Sequence, residues 1–234
     1  MPFNPRIEMP FFAKWFALFC LSFAFVNLSF ALTDSTASQP LVYPPIFGKE
    51  KLPLVDIKQS ELPAPFNFLL TQPLMTLGLE KYYQRNGQIK VIHAQKNAKK
   101  NTYSRAILMV MDNNKKRNDV SVAQARNETI TVEFALITMN FNTLPDPVIK
   151  AVLHSNTPFG KLLALHKIKT TTSNRAYFKL PCTAPLATLI RCKLNSSLYG
   201  RLNTLNHSGN GQWLAHVLEI LPAIRCTQTT CQPA

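Results

Sequence analysis

The stretch that most constrains this chain is SLYGRLNTLNHSGNGQWLAHVLEILP, Ser197 to Pro222. Two runs of alternating apolar and polar residues flank Ser-Gly-Asn-Gly, whose glycines and asparagine accept positive φ, so the segment reads as a β-hairpin. Its first strand carries Arg201, and its second carries Glu219 between Leu218 and Ile220. A carboxylate buried alone in so apolar a strand is costly, so Glu219 either faces a partner or ligand, or points at water from an edge strand. Loop length decides what Arg201 does. A three-residue loop Gly209-Asn210-Gly211 puts Arg201 opposite Glu219 on one face, whereas a two-residue Asn-Gly loop puts them on opposite faces.

The 234 residues suffice for one domain with tails, and 46% apolar content with 10% aromatics excludes wholesale disorder. Residues 1–31 are set aside first. Arg6 and Lys14 form a basic start, Trp15 to Phe30 is almost wholly apolar, and Ser29-Phe30-Ala31 fits a small-x-small cleavage site. This order predicts a signal peptide and an exported, periplasmic or secreted protein whose mature form does not span a membrane. An uncleaved anchor is the alternative, although the run is short for a span. A lipid anchor on Cys20 is disfavoured by Phe19, where a small residue is wanted.

The cysteines agree with export. Cys182, Cys192, Cys226 and Cys231 remain after cleavage, and an even count in an exported chain favours disulfides. Three connectivities are open, with the short separations favouring Cys182–Cys192 and Cys226–Cys231. Metal binding lacks any C-x-x-C pair or suitable His spacing, so no metal is expected. Formal charge is +14, with Lys/Arg runs at 96–100 and 115–117. Without interleaved aromatics or a binding motif these read as solvated loop tips rather than a nucleic-acid footprint.

Residues 32–63, rich in Ser, Thr and Pro, read as a linker or surface arm before a domain over 64–225, with a disulfide-pinned tail over 226–234. A helix is expected from Pro73 to Arg85, capped by Thr71 and stopped at Gly87. Strands are expected over 88–94, 103–111, 119–125, 129–142 and 169–180, and short helices over 145–155 and 161–165. Along Tyr103, Arg105, Ile107, Met109 and Met111, Arg105 shares a face with apolar residues. It either snorkels from the strand's start or binds an anion in an enclosed site.

Leu198-Tyr199-Gly200-Arg201, Ser208-Gly209 and Leu218-Glu219-Ile220-Leu221-Pro222 resemble the closing hairpin of the chorismate lyase family, L-W-G-R, S-G, E-x-x-x-P. Upstream, Met75-Thr76 resembles a family S-M-T, and Tyr103 to Leu108 its Arg-bearing strand. Thr157-Pro158-Phe159-Gly160-Lys161 resembles T-P-L-G-R, and Ser173 to Phe178 a T-R-x-F strand. The likeness runs in order from Leu69 to Pro222. Residues 181–195, bracketed by two cysteines, have no counterpart and read as an inserted loop.

The resemblance implies an α+β fold, an antiparallel sheet of about six strands with a few helices packed on one face around a small ligand site. It implies that Arg105 and the backbone N–H groups of Met75 and Phe159 hold the carboxylate of a small aromatic acid. Glu219 would accept from the ring hydroxyl, and Arg175 and Arg201 are candidates for a second carboxylate or are exposed strand arginines. The implied chemistry is cofactor-free conversion of chorismate to 4-hydroxybenzoate and pyruvate, with Arg105 and Glu219 as catalytic groups. A non-catalytic exported module binding a small aromatic or anionic ligand is the rival, and export favours it. A basic surface holding an acidic partner is a third reading. Two departures bear on turnover: the altered hairpin spacing, and Leu136 where the family has an Arg.

Overall fold

The computed structural model describes residues 41–48, 51–227 and 229–233, so the leader expected over 1–31 lies outside the described residues. Seven strands form one sheet: β1 (Val55–Ile57), β2 (Gly87–Asn97), β3 (Thr102–Asp112), β4 (Thr129–Asn140), β5 (Thr170–Pro181), β6 (Ser197–His207) and β7 (Trp213–Leu221). Their spatial order is β1-β5-β6-β7-β4-β3-β2, and every neighbouring pair is antiparallel. A separate two-stranded ribbon joins β8 (Ile224–Cys226) to β9 (Cys231–Pro233). The helices are α1 (Phe66–Leu69), α2 (Met75–Tyr83), α3 (Val120–Ala125), α4 (Asp146–His154), α5 (Phe159–Leu165) and α6 (Ala184–Ile190). No helix among the described residues is long and apolar enough to cross a membrane.

The seventh strand comes from the segment expected as a linker or arm. Val55–Ile57 pairs with Ile57↔Tyr177 register against β5, and Phe47, Leu52 and Leu62 nearby are buried. Residues 41–48 and 51–63 of the arm therefore belong to the body. The expected strand over 119–125 is instead α3. Asp119 caps it, its carboxylate accepting from the Val122 N–H at 3.0 Å, and Val120 and Ala123 are buried one turn apart. A cap and an i, i+3 apolar pair outweigh the alternation of valines that suggested a strand.

Helices cover both faces rather than one. On one side α1, α2, α4 and α5 pack over Ile107, Met109, Ile137 and Val217. On the other, Val120 of α3 and Leu186 and Ile190 of α6 join Leu108, Phe134, Leu136 and Phe178 in a second core. The reason lies in β3 and β4, buried along nearly their whole length on alternating sides, so that each face needs a cover. The insertion over 181–195 supplies part of that cover. Cys182 is bonded to Cys192 across it, and Cys226 to Cys231 across the terminal ribbon.

The arrangement leaves one place where polar side chains meet inside the fold. At the centre of the sheet, β3, β4, β6 and β7 turn the same face toward the starts of α2 and α5.

A candidate anion-binding cavity

That face carries Arg105 from β3, Glu133 from β4, Arg201 and Asn203 from β6 and Glu219 from β7 among apolar neighbours, all lining one cavity. Its volume, measured as room for the centres of water-sized spheres, is ≈ 50 Å³, several times the ~10–15 Å³ that one water needs. Ile107, Ala135, Ile137, Leu205 and Val217 supply apolar walls.

Arg105 is 2% exposed, yet among the described residues it pairs with no carboxylate. Its Nη1 donates to the Val152 carbonyl at 3.2 Å, and its Nε is buried with no acceptor. Val152 stands in the last turn of α4, where carbonyls lack intrahelical donors and carry partial negative charge. One neutral acceptor is poor compensation for a guanidinium with five donors. Loss of hydration accordingly pushes the Arg105 guanidinium down to about 10, against a smaller opposing effect of Tyr103. It remains a cation at neutral pH, and an unneutralised one. Snorkelling, the alternative reading of this residue, does not describe a side chain so enclosed.

Arg201 and Glu219 sit directly opposite each other across β6 and β7, on one face. The hairpin turn spans Ser208–Gln212, closed by the His207 N–H on the Gln212 carbonyl at 2.8 Å, and a bulge at Leu214 restores the register that aligns them. The Arg201 Nε donates to Glu219 Oε2, which also accepts from Asn203 Nδ2 at 3.3 Å. The Arg201 Nη1 donates to the carbonyls of Leu70, at 2.9 Å, and Gln72. Glu219 thus has its partner, and the edge-strand reading falls. Arg201 is a buried strut that also ties β6 to the segment before α2.

Glu133, 4% exposed, is the functional candidate that sequence reasoning passed over. No donor of the protein bonds its carboxyl among the described residues. Burial first, and the nearby Glu219 charge second, raise its pKa well above the usual carboxylate range against the pull of Arg201. The protonated acid is favoured. With two guanidinium groups, one ion-paired carboxylate and one neutral acid, the cavity carries a net positive charge that a monoanion would balance.

Met75 and Phe159 open α2 and α5, and neither helix has a side-chain cap. Their backbone N–H groups lie at first-turn positions without intrahelical acceptors, where anions are favoured. Leu74 takes the cap position of α2, while Thr71, the expected cap, donates its hydroxyl to Asn67 O at 2.9 Å at the end of α1. The two helix starts meet closely. A Cβ on Gly160 would lie 3.3 Å from Thr76 Oγ1, so glycine there permits the approach.

Arg175 is not among the residues lining the cavity. It donates to Thr71 O at 3.1 Å and to Thr172 Oγ1 at 3.2 Å, clamping the chain ahead of α2. Leu136 belongs to the opposite core, with Ala135 and Ile137 facing the cavity. Its lack of charge therefore takes nothing from this site. Among the described residues no cluster of His, Cys, Asp and Glu could hold a metal ion.

No protein-family model matches this chain, and no curated protein does. Solved structures show slight likenesses. The ligand-binding domain of a protein assigned to the GntR family of transcriptional regulators from Bordetella bronchiseptica aligns with 63% of this chain and 90% of its own, at 6% identity and a TM-score of 0.41. For YydK, a possible transcriptional regulator from Bacillus subtilis, the shares are 58% and 58%, at 10% identity and 0.39. For a GntR-family transcriptional regulator from Enterococcus faecalis they are 57% and 91%, at 10% and 0.35. Likenesses this slight carry no argument, and the cavity's own residues bear the weight instead.

Proposed function

We propose that this protein is an exported binding module for a small aromatic carboxylate, held in the cavity with its carboxylate on Arg105. The observation that carries the reading is Arg105 itself: a guanidinium 2% exposed, facing a cavity, with a buried Nε lacking any acceptor. A carboxylate accepts from a guanidinium fork in bidentate fashion and would satisfy the donors that the protein leaves idle. The first-turn N–H groups of Met75 and Phe159 add donors from the other side. Apolar walls suit a ring, which the cavity, at ≈ 50 Å³ against the roughly 150 Å³ that holds benzene, takes only by opening further.

Export rests on the character of residues 1–31 and accords with two disulfides, which persist in oxidising compartments. Turnover of chorismate is the finer reading that the chorismate lyase resemblance suggests. Chorismate brings a second carboxylate, and the second cation, Arg201, is already engaged by Glu219 and two carbonyls. That favours a monoanion, and hence binding over turnover.

Calorimetric titration with 4-hydroxybenzoate tests the proposal. Binding is expected, weakened about tenfold or more by Arg105→Ala, as suits loss of a charge-assisted bond of about 1.5–3 kcal/mol. Absence of binding by 4-hydroxybenzoate and benzoate alike would refute it. Incubation with chorismate, followed by assay for 4-hydroxybenzoate, separates module from lyase.

A further inference from the structure

We infer that the opposite face of the sheet carries a second binding site, for a free single-chain amphipathic anion such as a fatty carboxylate. It shares no lining residue with the central cavity and does not depend on the reading given above.

The site is a groove between the two disulfide-closed segments. One wall is the end of α6, inside the loop that the Cys182–Cys192 bond closes; the other is β9, whose Cys231 is bonded to Cys226. The Cys231 N–H also donates to Asn113 Oδ1 at 2.6 Å, which ties the ribbon to the end of β3. The insertion over 181–195 and the tail beyond Pro222 lie outside the motifs that carry the chorismate lyase resemblance, so the groove is a feature of this chain's own additions. Its floor is Leu108 and Val110 of β3, flanked by Ile92 of β2 and by Leu189 and Ile190 of α6, all in the second core or packed on it. The volume, measured as for the central cavity, is ≈ 600 Å³, inside the span of roughly 300–1,000 Å³ usual for small-molecule sites.

Charge decides the class of ligand. Lys90 and Arg191, both exposed, line the groove, and no carboxylate does. Among the described residues neither cation is ion-paired. Lys90 stands directly opposite Leu108 in the β2–β3 register, so cation and floor share one face of the sheet. Thr129 and Thr131 of β4 add hydroxyls that have no side-chain partner among the described residues. A neutral apolar ligand would gain nothing from the cations, and a small polar anion nothing from the floor. One apolar chain ending in a carboxylate uses both: its methylenes cover the floor and its head accepts from the cations. A protein strand is the competing occupant, because β2 is an edge of the sheet. The register shift between Val91 and His93 interrupts that edge beside the groove, and Lys90 and Lys96 stand along it, which disfavours further strand pairing.

The test is calorimetric titration of decanoate, below its micellar concentration, and of decanol into the full-length mature protein. Wild type is compared with the double variant Lys90→Gln/Arg191→Gln and with Thr188→Trp, a groove-lining position on α6; all three side chains are exposed, so the substitutions spare the core. Wild type should bind one decanoate, and decanol at least tenfold more weakly. The double variant should lose about tenfold in decanoate affinity, the scale of one charge-assisted hydrogen bond, with decanol unchanged. Thr188→Trp, which fills the groove, should weaken both. Excess 4-hydroxybenzoate should leave decanoate bound; displacement would put the chain in the central cavity and overturn the second site. Three other results overturn it without touching the Arg105 reading. They are no binding of decanoate, wild-type affinity in the double variant, or binding to phosphatidylglycerol vesicles without binding of monomeric decanoate, which would make the cations a membrane contact.

Discussion

A buried acid without a partner leaves a trace in stability as well as in binding, and Glu133 is the residue to watch. Its native form holds the proton more tightly than the unfolded chain does, so unfolding releases that proton. The stabilisation from this group is complete below the ordinary carboxylate range and is lost as pH rises through the elevated native value. Urea unfolding across pH should therefore show a decline above about pH 5 that Glu133→Gln flattens; an identical pH slope in both proteins would contradict the assignment. Why the sequence conceals this residue is local. In TITVEFALITMN a strict period of two groups Glu133 with Thr129 and Thr131, a polar side facing solvent. A bulge at Val132 breaks the period, placing Thr131 against Val110 and Glu133 against Met109, on the cavity face. Arg105, Arg201 and Glu219 were legible because each falls on a motif of the family resemblance, and Glu133 falls on none.

At the level of elements, the hairpin of β6 and β7 was the most legible, and the segment over 119–125 the least. Asp119, its carboxylate committed to the Val122 N–H, converts an alternating run into one helical turn and a half. The basic run at 115–117 looked like a solvated tip; instead Arg117 pairs with the buried Asp112 at 2.6 Å and with Glu128 at 2.6 Å, folding the loop back onto the sheet end. Such partners lie across the fold and have no short-range signature. The insertion over 181–195 was visible as an insertion, but not as a cover for the second sheet face. Leu186 and Ile190 are fully buried there, and the Cys182–Cys192 bond closes the loop that presents them. Replacing both cysteines by alanine should lower unfolding stability by about 2–3 kcal/mol in the loop-entropy account. Equal denaturation midpoints and slopes for the two proteins would show that α6 holds its place without the staple.

For the molecule as a whole, most strands followed from local patterning, and the α+β class and the antiparallel sheet from the family resemblance. Which faces are covered did not, because it depends on the length over which β3 and β4 are buried on both sides. The cavity is a consequence of that architecture: four central strands converge their polar residues under two helix starts, inside a body that could have filled the same space with leucine. Keeping Arg105 there carries a penalty on the charged form of about 3 kcal/mol, as its fall to about 10 implies. A residue retained against such a penalty for binding, rather than for folding, makes a clear demand on global stability. The decisive measurement is denaturant unfolding of wild type and Arg105→Met, each with and without 4-hydroxybenzoate. The account predicts that Arg105→Met is the more stable apoprotein by about 1–2 kcal/mol. It also predicts that saturating ligand stabilises wild type, by about 2.7 kcal/mol at a hundredfold excess over Kd, and leaves the variant unmoved. A variant that is less stable than wild type, in a protein whose stability the ligand does not change, would contradict it.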